Sequence, residues 1–254
     1  MDWQIVKNLL LQFTVTNFLW FVLISLLLCV AWIFLCLRLD REAPEQSKQL
    51  IRVFFWGGLM VFPTLFITGP ITSFIGQLSW LSSAIKIIVL SFLVDGLFEE
   101  LIKFSILSEK VYREKFFDEP RDGLIYGIMI GLGFSLLENF FFGLTLVGVP
   151  GGLLVVVARG IITTFMHLLA GGIIGYYFGL AKFKSHSQAP KKQKSWLMIH
   201  GLVLAILFHG LYDLVIRFNY AWLMIPLAAF LIGVYVYIVI GLRRIQTSFH
   251  NHTL

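Results

Sequence analysis

Charge and cysteine are what this sequence has least of. Of 254 residues only 13% are charged, against 58% hydrophobic, and the mean hydropathy is +0.86. A soluble domain of this length keeps much of its surface in water and cannot hide so much apolar area. Soluble classes are therefore excluded, and lipid is the solvent that fits. The only cysteines, Cys29 and Cys36, fall in one apolar run, about 10 Å apart along a helix axis. That is too far to bridge, so no disulfide framework exists and both read as small apolar side chains. No internal repeat is visible, which argues against an inverted-repeat transporter. No small-x-small cleavage site follows the first apolar run, about Phe18 to Leu37. Its length suits a membrane span, so it reads as an anchor rather than a cleaved signal.

What is present is a series of apolar runs. They predict an all-α fold, a polytopic transmembrane bundle of about seven helices near 14–37, 53–69, 81–107, 123–148, 153–181, 196–217 and 222–242. Little chain is left for a soluble domain, so residues 1–254 read as a single membrane-embedded domain. The net charge of +6 could suggest nucleic acid, but its distribution argues otherwise. Lys and Arg number four from Arg38 to Arg52, four from Ser108 to Asp122 and five from Lys182 to Ser195, with Arg243 and Arg244 after the last run. The alternate segments hold only Lys7 and Arg217. This bias predicts the N-terminus outside and the C-terminus in the cytoplasm of a multi-pass cell-membrane protein, and no nucleic-acid partner.

Two glycine ladders, Gly123, Gly127, Gly131 with Ser135, and Gly171, Gly175, Gly179, recur every four residues. Each lies on one helix face, where missing side chains let helices approach closely. The informative residues are the ionisable ones inside the spans: Asp95, Glu99, Glu100 and Lys103 in the third, and Glu138, beside Asn139, in the fourth. Arg159 and His167 follow in the fifth, and His209 and Asp213 in the sixth. Each charge near the bilayer centre costs on the order of 3 kcal/mol if it faces lipid. They must face the interior, pair, or line a wet cavity. Asp95, Glu99 and Lys103 stack at intervals of four, as do Arg159, Thr163 and His167, and His209 with Asp213. Counted along the helices, Glu138, His167 and His209 share a depth near mid-membrane, with Glu99 and Glu100 one to two turns off.

Peptide hydrolysis needs such groups: a base to activate water, donors for the oxyanion, and a site that excludes most water. On this reading Glu99 or Glu100 is the base and Glu138 positions water. His167 and His209 stabilise the oxyanion or hold a metal, and Asn139 donates a hydrogen bond. Lys103, Arg159 and Asp213 support them. Glutamate with two histidines is an acceptable zinc shell, from Glu100, Glu138, His167 and His209, although no His-Glu-x-x-His occurs. Structural roles stand beside these. Glu100 and Lys103 at i and i+3 can form an ion pair, Arg159 can neutralise a glutamate, and each histidine can be a satisfied interior residue. A proton-coupled transporter also needs buried acids and histidines, and a catalytically inactive scaffold would tolerate their loss.

The order of motifs resembles the PrsW family of intramembrane peptidases. Glu99-Glu100-x-x-Lys103 is followed by Asp122-Gly123, Tyr126-Gly127, Gly131-x-Gly133-Phe134 and Glu138-Asn139, then by His167 with glycines after it and by His209. Asp40-Arg41-Glu42 and Trp56-Gly57 are similar to that family's early region, and the likeness runs from about 38 to 215. The resemblance implies a bacterial membrane protease of the CAAX prenyl protease and bacteriocin-processing superfamily, glutamate-type or metal-dependent. Its implied substrate is a membrane-anchored protein such as an anti-sigma factor. Glu99 and Glu100 fill the first motif, Glu138 and Asn139 the second, His167 the third and His209 the fourth. The last motif departs from the pattern: it reads His209-Gly-Leu-Tyr212-Asp213, where Trp and Asn are expected at its end.

Overall fold

The structure, a computed structural model, describes residues 3–38, 47–147, 149–184 and 191–253, which form helices joined by short turns and no strand. The Asp40-Arg41-Glu42 segment lies outside the described residues. Seven helical segments occur among them, in the places where the apolar runs predict spans. The first is α1, Trp3–Leu37. The second is broken into α2, Ser47–Leu59, and α3, Val61–Gln77. Pro63 has no N–H to give the Leu59 carbonyl, so the helical ladder breaks at Met60. The third runs as α4, Ser83–Val89, a π-helical stretch Leu90–Gly96, α5, Leu97–Ile106, and a second π stretch Leu107–Val111. Then come α6, Pro120–Thr145, α7, Gly152–Gly179, α8, Lys191–Phe218, and α9, Met224–Thr253.

Local signals set these ends. Pro120 opens α6, and the Asp122 carboxylate accepts from the backbone N–H groups of Asp118 at 2.8 Å and Glu119 at 2.6 Å. Gly151 takes a left-handed φ of 78° before α7, and Asn219, φ 53°, stops α8. Five helices are long and apolar enough to cross a membrane, and Ile225–Gly241 is a shorter apolar helix. The third segment is not among the five, because it carries Lys86, Asp95, Glu99, Glu100 and Lys103. Large apolar side chains such as Phe66 and Ile225 point outward and almost fully exposed, as lipid requires and water would not tolerate. The chain is a multi-pass membrane protein.

The glycine ladders fix the centre of the bundle. α6 and α7 run antiparallel, with Gly123 against Gly175, Gly127 against Gly171 and Gly131 against the His167 backbone. A Cβ on Gly127 or Gly131 would collide with the carbonyl oxygen opposite, so only glycine permits this approach. On the other side of α6, Gly133 meets the Phe54 carbonyl and Gly58 of α2. α6 is thus clasped between α2 and α7, and the ladder sets the register that delivers His167 to the interior.

Candidate active site

Past Gly131 the same seam turns polar, with the same four-residue step. The Ser135 hydroxyl donates to Thr164 Oγ1 at 2.9 Å. The Asn139 amide donates to Ser135 Oγ at 3.1 Å and Thr164 Oγ1 at 3.0 Å, and its carbonyl accepts from Arg159 Nε at 3.0 Å. Arg159 Nη2 reaches Glu138 Oε1 at 2.6 Å, while its guanidinium lies 4.1 Å over the Phe142 ring. Glu138 Oε2 lies 2.7 Å from His167 Nε2. With both amide hydrogens committed, Asn139 holds Arg159 and the seam instead of offering a donor outward.

Two histidines meet at the centre, their rings perpendicular and 5.2 Å apart. His167 Nε2 faces the Glu138 carboxylate, and His209 Nδ1 faces Glu100 Oε1 at 2.6 Å. A carboxylate only accepts, so each of these ring nitrogens carries the proton. With both rings neutral, the remaining nitrogens, His167 Nδ1 and His209 Nε2, present lone pairs. Both lie near Glu99 Oε2, at 4.0 Å and 3.9 Å. Lys103 Nζ lies 2.6 Å from Glu100 Oε1 and 2.9 Å from His167 Nδ1. Asp213 Oδ2 lies 3.5 Å from His209 Nε2.

Burial is graded across the cluster. Glu100, Lys103, His167 and His209 are buried, Glu99 is 12% exposed, and Glu138, Arg159 and Asp213 are 25%, 20% and 19% exposed. The cluster is closed around Glu100, Lys103 and the two histidines, and is open only where Glu138, Arg159 and Asp213 lie. Just beyond Asp213, Arg217 pairs with Asp95 and ties the π stretch before α5 to the end of α8. Two apolar cavities of about 270 and 260 Å³ flank α9 and contain none of these acids or histidines.

Glu99, Glu100, Lys103, Glu138, Asn139, Arg159, His167, His209 and Asp213 are thus all brought together. The one-to-two-turn offset of Glu99 and Glu100, expected from the count along straight helices, is absent at the side chains. The π stretch Leu90–Gly96 winds more residues into each turn, so a count at α-helical rise misplaces the residues beyond it. Ser135, Thr164 and Tyr212, whose hydroxyl lies 2.7 Å from Thr163 Oγ1, were not singled out for the site. Ser135 was signalled by its place on the glycine ladder; Thr164 had no signal, because it depends on which helix faces α6.

The donor set suits a divalent metal. Glu99, His167 and His209 each offer one atom, all within 4.8 Å of one another. Glu99 Oε2 is buried and has no hydrogen-bond partner among the described residues. Both histidines have the far nitrogen fixed by a carboxylate, the usual support of a ligating imidazole. The sequence set had Glu100 and Glu138 beside the histidines; the structure puts Glu99 on the ligating side and those two acids behind the rings.

Residues 45–242 match the model of the family described as PrsW family intramembrane metalloprotease. The chain belongs to this family. Protease PrsW of Bacillus subtilis (strain 168) is 34% identical over 195 residues, covering 76% of this chain and 81% of that protein. Protease PrsW of Geobacillus kaustophilus (strain HTA426) is 32% identical over 183 residues, covering 72% and 73%. Protease PrsW of Halalkalibacterium halodurans is 29% identical over 211 residues, covering 81% and 90%. No solved structure matches the chain. The PrsW match takes in α2 through the apolar part of α9, and so every residue of the cluster.

Proposed function

We propose that this PrsW family member is an intramembrane endopeptidase, one membrane-embedded domain whose reactive centre is Glu99 with His167 and His209. One observation carries the reading: a buried carboxylate oxygen without a hydrogen-bond partner among the described residues lies about 4 Å from a nitrogen of each of two imidazoles, at the inner end of an open polar edge. Scattered, self-quenched ion pairs would leave no such atom.

Glu99 Oε2, His167 Nδ1 and His209 Nε2 would hold a divalent metal, zinc being the ion this donor set suits. When bound it supplies Lewis-acid polarisation of the scissile carbonyl and a more acidic water. The chain's own side chains do the rest. Glu138 and Glu100 hold the rings so that both lone pairs face inward. Asp213, partly exposed beside His209 Nε2, takes the proton of the attacking water and returns it to the leaving amine. Arg159, on the open edge, anchors the Glu138 carboxylate and the Asn139 carbonyl, and so keeps His167 in place.

Arg159 lies about 10 Å from the start of α7, and Glu138 about as far from the end of α6. With the N-terminus outside and the C-terminus cytoplasmic, these ends are outer ends, so the substrate enters from the outer half of the bilayer. The substrate proposed is a single-pass membrane-anchored protein such as an anti-sigma factor, the class the family resemblance implies.

Comparison of membrane proteomes from cells with wild type, Glu99→Gln and Glu100→Gln tests this. A single-pass protein should accumulate uncut in both variants, which stay in the membrane, and His167→Ala should behave alike. Full cleavage by Glu99→Gln or His167→Ala would sink the mechanism. Flux of a solute in proteoliposomes without cleavage would favour a proton-coupled transporter. If a chelator leaves cleavage intact, the metal falls and Glu99 is itself the base.

A further inference from the structure

Two buried carboxylate oxygens at the centre have no hydrogen-bond partner among the described residues, Glu99 Oε2 and Glu100 Oε2. Such atoms are costly in a dry interior, and two on adjacent residues call for a common cause. Lys103 connects them. Its side chain is fully buried, and its ammonium has three N–H groups to place. One goes to Glu100 Oε1, another to His167 Nδ1, and the Phe134 ring lies 4.7 Å away. His167 Nδ1 is also one of the three atoms placed to hold a metal. Because His167 Nε2 gives its proton to Glu138, Nδ1 has a single lone pair, and a lone pair serves one cation at a time.

We propose that Lys103 is a built-in competitor for the metal: it occupies His167 Nδ1 in the metal-free protein and withdraws onto Glu100 when the ion enters. The proposal rests on the metal reading above and adds to it a residue that governs loading. On withdrawal the ammonium takes up Glu100 Oε2, the free oxygen of the carboxylate it already holds. Glu99 Oε2 meanwhile gains the ion. One exchange satisfies both unpaired oxygens, with no change in the number of protons bound. While the site is empty, the resident ammonium balances the surrounding acids at a depth where unbalanced charge is expensive. It also lowers the affinity for any divalent ion, since the incoming charge must displace one already there.

The test is zinc binding by the full chain in detergent micelles, stripped with chelator and titrated with Zn²⁺ by calorimetry, beside Lys103→Met and Lys103→Gln. Both variants should bind zinc about tenfold more tightly than wild type, equivalent to about 1.4 kcal/mol. X-ray absorption of the zinc-loaded wild type, which requires no variant to fold, should count two imidazole ligands. If wild type binds zinc but the variants bind it equally or more weakly, the exchange is overturned and the metal site stands; if only one imidazole is found, the exchange falls together with the two-histidine site. If wild type takes up no zinc, both are overturned.

Discussion

Gly131 faces the backbone of His167 so closely that a Cβ on the glycine would collide with the histidine's carbonyl oxygen. The placement of an imidazole proposed for the reactive centre therefore depends on a residue with no side chain. Gly131→Ala must push α7 away from α6, and overpacking of this kind costs roughly 1–3 kcal/mol. The displacement also carries His167 out of reach of Glu99, so cleavage should fall further than stability does. Gly76→Ala is the control: a Cβ at that position would meet nothing within 4 Å, and the change should be neutral within about 0.5 kcal/mol. Thermal unfolding in detergent, measured beside cleavage of a substrate, separates the two.

On the mechanism proposed, Arg159 acts through Glu138, which in turn orients His167. Arg159→Ala frees the Glu138 carboxylate and removes the partner of the Asn139 carbonyl. Loss of support at this remove from a ligating histidine typically costs 10- to 100-fold, and cleavage should fall by about that much. Arg159→Lys keeps the charge but not the planar fork, so it should restore only part of the rate. Equal activity of the alanine variant and wild type would show that Glu138 needs no anchor.

The seven helical segments and the inward grouping of ionisable residues were legible because lipid enforces both. A charge in a spanning run has few places to go, and a four-residue stripe identifies the helix face. The ladder Gly123, Gly127, Gly131, Ser135 foretold a close seam on α6. It did not name α7 as the partner, and so Thr164 stayed hidden. Nor did it say which of two adjacent glutamates would hold a ring from behind and which would face the inner nitrogens of both. That choice depends on the π stretch Leu90–Gly96, an irregularity of hydrogen bonding with no signature in hydrophobic period.

Tyr212 stands where the family resemblance led to tryptophan, and its hydroxyl pairs with Thr163 Oγ1 in the interior. Removing one member leaves the other buried and unpaired, which costs more than removing both. Tyr212→Phe and Thr163→Val should each destabilise by about 1–3 kcal/mol, and the double variant by clearly less than their sum. A double-mutant cycle on thermal unfolding checks this; simple additivity would show that the pair contributes nothing as a pair.

Glu99 and Glu100 are adjacent in sequence, yet replacing each should have opposite effects on stability. Glu100 is fully buried and holds Lys103 and His209 at 2.6 Å each. Glu100→Gln leaves the buried ammonium without its counter-charge, and breaking a buried pair in this way costs roughly 3–5 kcal/mol. Glu99 has no such partner among the described residues: its Oε2 faces the inner nitrogens of the two histidines without a hydrogen bond. Glu99→Gln supplies an amide that can donate to those nitrogens, so the metal-free protein should melt at or above wild type. Both variants should be inactive. A lower melting temperature for Glu99→Gln than for Glu100→Gln would mean that Glu99 is the structural member of the pair and Glu100 the reactive one.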